Sequence, residues 1–249
     1  MKTNKKLIVS QFHKVKKLGF VPSHRKSNTG IGKTFEDFIG VVENNYDAPD
    51  LAGYEIKSHR DETQSYITLF TKSPSFPKGA NAYLKDKFGT PYSDNTQLKF
   101  LHTSIFANKK NSLKGKYALK LINDRKNKQI LIAIYSLKSK RLLDKSCGYT
   151  YDALEIVLKK KLKNLFYVSA ETKKQKGQEY FHFNKAEIYE DPSFEAFLDL
   201  LESGKIMFDI RIGSYQSGTN YGKTHDHGSG FRILEKNLCK LYASHETIE

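Results

Sequence analysis

Helical and strand-like patterns of apolar residues follow one another along this chain in an irregular order, and that order most constrains its fold. Apolar residues recur at helical spacing in four segments, 5–18, 34–42, 151–162 and 194–201. Short β-branched or aromatic runs predict strands at 53–59, 66–71, 117–122, 129–136, 165–168 and 207–212. Because several strand runs follow one another without a helix between them, the order argues against a regular parallel βαβ array. We predict an α/β fold in which helices flank a mixed β-sheet.

The composition indicates a folded protein with a polyanionic partner. Lys and Arg number 42 against 27 Asp and Glu, a net charge of +15, and aromatic residues make up 12% of the chain. So many rings argue against a disordered polycation. Excess positive charge favours nucleic acid through counterion release, although a lysine-rich surface can also serve solubility alone. Two cysteines cannot build a disulfide scaffold, and no apolar run reaches the roughly 18 residues of a membrane span. We therefore expect an intracellular protein with no membrane partner.

The segment 47–57 carries the most informative polar pattern. Alternation along a strand places Glu55 and Lys57 on one face and turns Ile56 into the core. Asp50, across a turn, can bring a second carboxylate to Glu55. Two hard oxygen ligands suit Mg²⁺, and the adjacent lysine can orient a water and offset charge on a phosphorane. The same spacing also fits a solvated hairpin with alternating Glu and Lys, so the pattern alone leaves both readings open.

Neighbouring residues carry a resemblance to a nuclease family. Pro49-Asp50 followed by Glu55-Ile56-Lys57 resembles the PD…(D/E)xK signature of restriction-endonuclease-like nucleases. With the preceding run Gly32–Gly40, which contains Glu36, the segment is similar to the mismatch-repair nicking enzyme MutH and the MvaI/BcnI group of restriction enzymes. A second block, 158–168, is similar to the family's passage from a helix into a strand. The resemblance covers roughly residues 30–72 and 150–232.

The resemblance implies a restriction-endonuclease-like fold with two lobes that form a DNA-binding cleft. We expect a catalytic lobe at 1–145, with an irregular insertion at about 73–115, and a DNA-recognition lobe at 146–249. Lys163 in the second block is expected to reach toward the active site and the DNA. The other expected site residues are Asp50, Glu55 and Ile56 for Mg²⁺, Lys57 for the attacking water, and Glu36 as an assisting carboxylate.

A C-terminal block has the side chains for reading base pairs. Asp209 and Arg211 lie on one face of a predicted strand, where an Asp can accept from cytosine and an Arg can donate to guanine. A glycine-rich loop, 213–230, follows, and a long loop of this kind often has a function. A flexible surface loop beside an Asp–Arg surface pair is the plainer alternative. The other candidate DNA-binding residues are Tyr215, Lys223, His225, His227 and Arg232.

Two further patterns are weaker. Residues 27–34 nearly match a phosphate-binding loop, but Ser27 stands where the first glycine belongs, so we predict no nucleotide cofactor. His225-Asp226-His227 lacks further ligands at a usual zinc spacing.

The resemblance implies a type II restriction endonuclease that cuts double-stranded DNA with Mg²⁺ in the prokaryotic cytoplasm. The implied site is CCWGG, where W is A or T. Because the chain has one Asp/Glu/Lys set, and an odd-length site has unlike halves, we expect a monomer. The alternatives are a MutH-like repair nicking enzyme, which needs an activating partner, and a basic DNA-binding protein without catalysis.

Overall fold

A computed structural model describes residues 2–41, 51–61 and 66–248 of the chain. Its helices are α1 (Lys2–Lys16), α2 (Gly30–Phe38), α3 (Ala80–Phe88), α4 (Tyr151–Leu162), α5 (Phe194–Glu202) and a 3₁₀ helix at Glu235–Leu241. Its strands are β1 (Val21–Pro22), β2 (Glu55–Arg60), β3 (Tyr66–Thr71), β4 (Thr90–Pro91), β5 (Lys99–Ile105), β6 (Asn111–Leu113), β7 (Tyr117–Asp124), β8 (Gln129–Ser136), β9 (Leu142–Thr150), β10 (Asn164–Gln175), β11 (Gln178–Pro192), β12 (Ile206–Ser214), β13 (Thr224–Asp226), β14 (Gly230–Leu234) and β15 (Tyr242–Ile248). The predicted mixed α/β fold is confirmed.

The chain forms two compact units whose segments alternate along the sequence. Unit 1 contains the described residues of Met1–Ser65, Leu158–Ser193 and Cys239–Glu249, and unit 2 contains those of Tyr66–Val157 and Phe194–Leu238. The units do not coincide with the lobes predicted at 1–145 and 146–249. The predicted boundary at residue 145 does not separate the units because unit 1 also includes β10, β11 and β15 from the C-terminal half of the chain.

Unit 1 is built on one sheet with strand order β1-β11-β10-β2, and β15 pairs with β11. Strand β2 runs parallel to β10, in register from Glu55 beside Leu165 to Arg60 beside Ala170, and the other pairings in this sheet are antiparallel. A buried apolar cluster combines α1 and α2 with side chains of this sheet. Helix α1 joins the cluster through Ile8, Phe12 and Val15, which share one helical face.

The start of α2 explains the glycine-rich run that resembles a phosphate-binding loop. A Cβ atom on Gly30 would lie 2.5 Å from both the Arg25 carbonyl oxygen and Ser23 Oγ, so the close approach requires glycine. Thr34 Oγ1 donates to the Gly30 carbonyl at 2.7 Å and accepts from the His24 amide at 2.9 Å. These residues thus fasten the helix to the preceding segment.

Unit 2 contains two sheets. Strands β3-β14-β12-β5-β4 form one, with β13 paired to β12, and strands β6-β7-β8-β9 form the other. Phe231 on β14 is fully buried and its ring lies 5.2–5.4 Å from those of Phe70, Tyr149, Phe197 and Phe208. Aromatic packing of this kind joins both sheets and α5 in one core.

The prediction of an irregular insertion at about 73–115 is wrong. This segment contains α3 and three strands, and β5 pairs with β12 near the middle of the first sheet. Leu84 and Phe88, four residues apart on α3, are buried. Prolines and lysines around these short elements conceal the apolar pattern. No helix in the described parts of the chain has the length and apolar character to cross a membrane.

Asp144 on β9 anchors α3. Its Oδ2 atom accepts from Tyr83 and, at 3.0 Å, from Lys87, while its Oδ1 atom accepts from the amide and hydroxyl of Ser146 at 2.8 Å. Burial of this side chain, which is 7% exposed, raises the pKa of Asp144, but these hydrogen bonds outweigh burial and lower the pKa to about 2.

Replacing Asp144 with Asn should destabilise the protein in a pH-dependent way. The folded-state pKa lies below the ordinary value of 3.8, so the carboxylate stabilises the fold above pH 3.8 and loses this effect as the pH falls toward 2. We expect Asp144→Asn to lower the free energy of unfolding at pH 7 by about 2 kcal/mol. Urea unfolding at pH 7 and pH 3 measures this, with the exposed Asp94→Asn variant as control. A loss as large at pH 3 as at pH 7 would contradict the assignment.

Candidate functional site

Strand β2 holds the predicted catalytic pair in unit 1. Lys57 Nζ donates to Glu55 Oε1 at 3.0 Å, and the two side chains are 19% and 15% exposed. Ile56 between them is 5% exposed and belongs to the apolar cluster with α1 and α2. The predicted alternation of faces is confirmed. Two opposite charges are thus held together on a half-buried face.

Neighbouring strands make the surroundings of this pair apolar. The parallel partners of Glu55 and Lys57 on β10 are Leu165 and Tyr167, both buried. Tyr242 on β15 is 8% exposed, and burial first and the charge of Glu55 second raise its pKa well above the ordinary value. The phenol of Tyr242 therefore stays neutral around pH 7. Low solvent access strengthens electrostatic interactions at Glu55 and Lys57.

The structure describes two of the other three residues that were predicted for the active site. Asp50 lies outside the described residues. Glu36 is half-buried in α2, a helix that packs against β2. Lys163 directly precedes β10, at the end of the sheet where β2 begins with Glu55, and its side chain is exposed.

A metal ion is implied by the nuclease resemblance. Among the described residues, no group of three or more His, Cys, Asp or Glu side chains could hold one. Mg²⁺ commonly takes only one or two carboxylates and completes its coordination with water and phosphate. The carboxylate of Glu55, which is 15% exposed, can supply one such oxygen ligand, and the Lys57 ammonium at 3.0 Å from it is placed to interact with a bound water or phosphate.

In unit 2, Asp209 on β12 binds two arginines. Arg211 Nε donates to Asp209 Oδ2 at 2.6 Å, and Arg232 Nε lies 2.9 Å from the same oxygen. Ser104 donates to the other carboxylate oxygen at 3.3 Å. Asp209 is 7% exposed, whereas half of the Arg211 side chain is exposed. The carboxylate thus orients the guanidinium groups, a role that the sequence did not suggest.

Arg232 is the more deeply placed arginine. Its side chain is 16% exposed, and its Nη1 atom donates to Thr68 Oγ1 at 2.7 Å. Burial lowers the pKa of Arg232, and the charge of Asp209 acts in the opposite direction. The side chain remains a cation because an arginine pKa starts far above neutrality. Arg211 is therefore the arginine of this pair with more surface available to a ligand.

A stack of rings lies beside this cluster. The rings of Tyr215 and His225 are parallel, with centroids 4.3 Å apart, and the His227 ring lies 4.1 Å from that of His225 at an angle of 52°. His102 on β5 lies 6.0 Å from His227 and pairs with Arg211 across the sheet. The stack forms because β13, inside the predicted loop, pairs with β12. His102 was missed because only the pairing of β5 with β12 brings it to the cluster.

Burial lowers the pKa values of His102 and His227, and a neighbouring histidine lowers each further, against the opposing charges of Asp209 and Asp226. These histidines are therefore mostly neutral near pH 7. A neutral imidazole offers one hydrogen-bond donor and one acceptor. Together with the arginine cluster, the surface can match both donors and acceptors of a ligand.

Gly213 allows the rings to approach the strand. A Cβ atom at this position would lie 2.8 Å from Tyr92 Oη and 2.9 Å from His227 Nε2. A larger residue would have to displace one of these rings. Lys223 lies at the exposed end of the same region, where its ammonium donates to Asn220 Oδ1 at 3.1 Å and its carbonyl accepts from the Tyr215 amide at 3.0 Å. The predicted loop is thus partly ordered by strand pairing and turns.

Comparisons with known proteins agree with this geometry. The model of the MvaI/BcnI restriction endonuclease family matches residues 9–242. A solved complex of restriction endonuclease MvaI with its cognate DNA substrate is 36% identical, covers 98% of each chain and gives a TM-score of 0.89. A structure of MvaI in the absence of DNA is 35% identical, covers 100% of this chain and 99% of its own, and gives a TM-score of 0.67. No curated protein matches the chain.

The family match spans almost the whole chain, and it includes both the Glu55–Lys57 strand and the arginine and histidine cluster. The predicted family is confirmed: the chain belongs to the MvaI/BcnI restriction endonuclease family.

Proposed function

We propose that this protein is a type II restriction endonuclease that hydrolyses double-stranded DNA at CCWGG with Mg²⁺. The observation that carries the proposal is the Glu55–Lys57 pair, held at 3.0 Å on one half-buried strand face in a member of this family. The DNA-bound relative MvaI supports duplex DNA as the substrate. The net charge of +15 favours the same partner.

The catalytic roles follow from the chemistry of the side chains. Asp50, Glu55 and the Ile56 carbonyl would hold Mg²⁺, which supplies positive charge at the phosphate and lowers the pKa of water. Lys57 orients the attacking water and offsets negative charge that develops on the phosphate. Glu55 fixes the position of the Lys57 ammonium through their hydrogen bond. Glu36 is proposed as an assisting carboxylate, and the products would carry a 5′-phosphate and a 3′-hydroxyl.

The reading roles belong to unit 2. Arg211 has a half-exposed guanidinium whose orientation is set by Asp209, and such a group can donate two hydrogen bonds to guanine. The stacked Tyr215, His225 and His227 supply further donors and acceptors beside it. Arg232 would support this cluster, and the exposed Lys163 and Lys223 would contact phosphates.

Removing the catalytic pair should stop cleavage while leaving DNA binding. Glu55→Gln and Lys57→Met each lose a charge needed in the transition state, so the cleavage rate should fall at least about 100-fold. Plasmid cleavage with Mg²⁺ or EDTA measures this, with gel shifts in Ca²⁺ for binding. Asp50→Ala should behave in the same way. Lys174→Met, an exposed lysine on β10 of the same sheet, serves as the matched control.

Cleavage by Glu55→Gln or Lys57→Met within tenfold of the wild-type rate would reject the assigned active site. Binding of the specific sequence without cleavage by the wild-type protein would indicate a non-catalytic DNA-binding protein. Cleavage of one strand only, dependent on an added partner, would indicate a repair nicking enzyme.

Arg211→Ala should weaken sequence discrimination more than general DNA affinity. Loss of a two-pronged guanine contact should cost about 1–3 kcal/mol at one base pair. Cleavage rates on cognate and singly substituted duplexes measure this loss. Arg141→Ala, an exposed arginine elsewhere in unit 2, is the control. Equal losses on both duplexes for Arg211→Ala would show a backbone contact instead.

We also propose that one chain cuts the two strands in sequence. A five-base-pair site has a central pair that a two-fold axis cannot preserve, so a symmetric dimer would meet unlike halves. Nicked circular plasmid should therefore accumulate when a one-site substrate exceeds the enzyme, and the rate should be first order in enzyme. Direct linearisation with a second-order dependence would require a dimer.

A further inference from the structure

Helix α3 contacts both strands that carry the ring stack. Asn81 and Lys85 lie four residues apart on this helix, so they project from one face. Asn81 Nδ2 donates to Asp226 Oδ2 on β13 at 2.9 Å, and Lys85 Nζ donates to Ser214 Oγ at the end of β12 at 2.9 Å. One helix face thus holds two adjacent, paired strands.

Ser214 is held by several groups and directly precedes a stacked ring. It is 5% exposed, its amide donates to Tyr92 Oη at 3.3 Å, and its hydroxyl donates to the Lys99 carbonyl at 2.9 Å. The hydroxyl still accepts from Lys85. Because Tyr215 is the next residue, fixing Ser214 fixes the point from which the Tyr215 ring extends.

Asp226 plays the matching part on β13, between His225 and His227. Its Oδ1 atom accepts from the amides of Gly228 and Ser229 at 3.0 and 2.7 Å. The Asn81 amide occupies the other oxygen. The carboxylate therefore ties the histidine strand both to its own following turn and to α3.

Lys85 is an unusual residue for this position. It is 4% exposed, and its ionic partner Asp86, at 3.1 Å, is itself 67% exposed. Burying an ammonium group costs free energy that an apolar side chain of similar length would avoid. An apolar side chain could provide neither the ion pair with Asp86 nor the hydrogen bond to Ser214, and of these two contacts the second joins α3 to β12.

We propose that Asn81 and Lys85 are positioning residues for sequence readout: they hold the Tyr215–His225–His227 stack in the geometry that meets the DNA. The inference rests on the proposed function of unit 2. Neither residue needs to touch DNA, because each acts through a residue adjacent to a ring. A change at either position should reduce discrimination between sequences rather than the chemistry at Glu55 and Lys57.

The test compares two lysines of the same helix. Lys85→Met removes the bond to Ser214, whereas Lys87→Met removes a bond to Asp144 on β9. Discrimination is measured as kcat/KM on the cognate duplex divided by kcat/KM on a singly substituted duplex. We expect Lys85→Met to reduce this ratio about tenfold, which corresponds to ~1.4 kcal/mol of lost discrimination. Lys87→Met should lower the melting temperature and leave the ratio unchanged. Asn81→Ala provides a second, smaller change with the expected effect of Lys85→Met.

Ring resonances report the geometry without DNA. His225 lies under the Tyr215 ring at 4.3 Å, which shields its protons, so in the DNA-free protein these signals should move downfield in Lys85→Met and Asn81→Ala. They should not move in Lys87→Met. Ser214→Ala should reduce sequence discrimination as much as Lys85→Met does. Because both changes remove the same hydrogen bond, the variant that combines Ser214→Ala and Lys85→Met should lose no more discrimination than either single variant.

Unchanged His225 signals and discrimination in Lys85→Met and Asn81→Ala would overturn the proposal. So would equal losses of discrimination in Lys85→Met and Lys87→Met at equal melting temperatures. Wild-type protein that cleaves all duplexes alike would overturn the proposed readout itself. The ring signals distinguish that result, because they test whether α3 holds the stack in the absence of any DNA.

Discussion

The parallel pairing of β2 with β10 is the constraint on which the rest of unit 1 depends. A parallel partner cannot be reached through a tight turn, so the chain needs a long connection before it returns. Here the connection runs from the end of β2 at Arg60 to the start of β10 at Asn164 and includes most of unit 2. This pairing accounts for the first segment of unit 2, Tyr66–Val157, between two segments of unit 1, and the pairing of β15 with β11 accounts for the second, Phe194–Leu238. The pairing of β2 with β10 also places Leu165 and Tyr167 beside Glu55 and Lys57, which limits water around the pair.

A buried carboxylate organises the second cluster. Burying the Asp209 carboxylate costs several kcal/mol of hydration free energy, and its attraction to two guanidinium groups offsets that loss. In return the carboxylate fixes Arg211, half of whose side chain is exposed. A long side chain that is ordered before it meets a ligand loses less conformational entropy on binding. The spacing of Asp209 and Arg211 on β12 thus compensates the buried charge and orders the arginine side chain before it meets a ligand.

The predicted site residues of units 1 and 2 are brought together in different ways. Glu55 and Lys57 lie on one strand, so the alternation of side chains along that strand is enough to place them on the same face. The ring stack needs β13 on β12, the glycine at 213 that admits His227, and helix α3 behind both strands. The segment that had suggested an irregular insertion therefore supports the surface that we propose reads DNA.

The sequence by itself determined the local geometry. A period of two places Glu55 and Lys57 on one face and Ile56 in the core, and it places Asp209 and Arg211 together, because these relations depend only on a strand conformation. Helix α4 and strand β3 lie where apolar spacing predicts them. The sequence singled out Arg232, but only the tertiary structure decided that it pairs with Asp209. Likewise, only the tertiary structure brings His102 beside His227 and Lys85 against Ser214. Those residues come from separate elements, and the hydrogen bonds that pair or pack these elements join positions far apart in the chain, which no local pattern encodes.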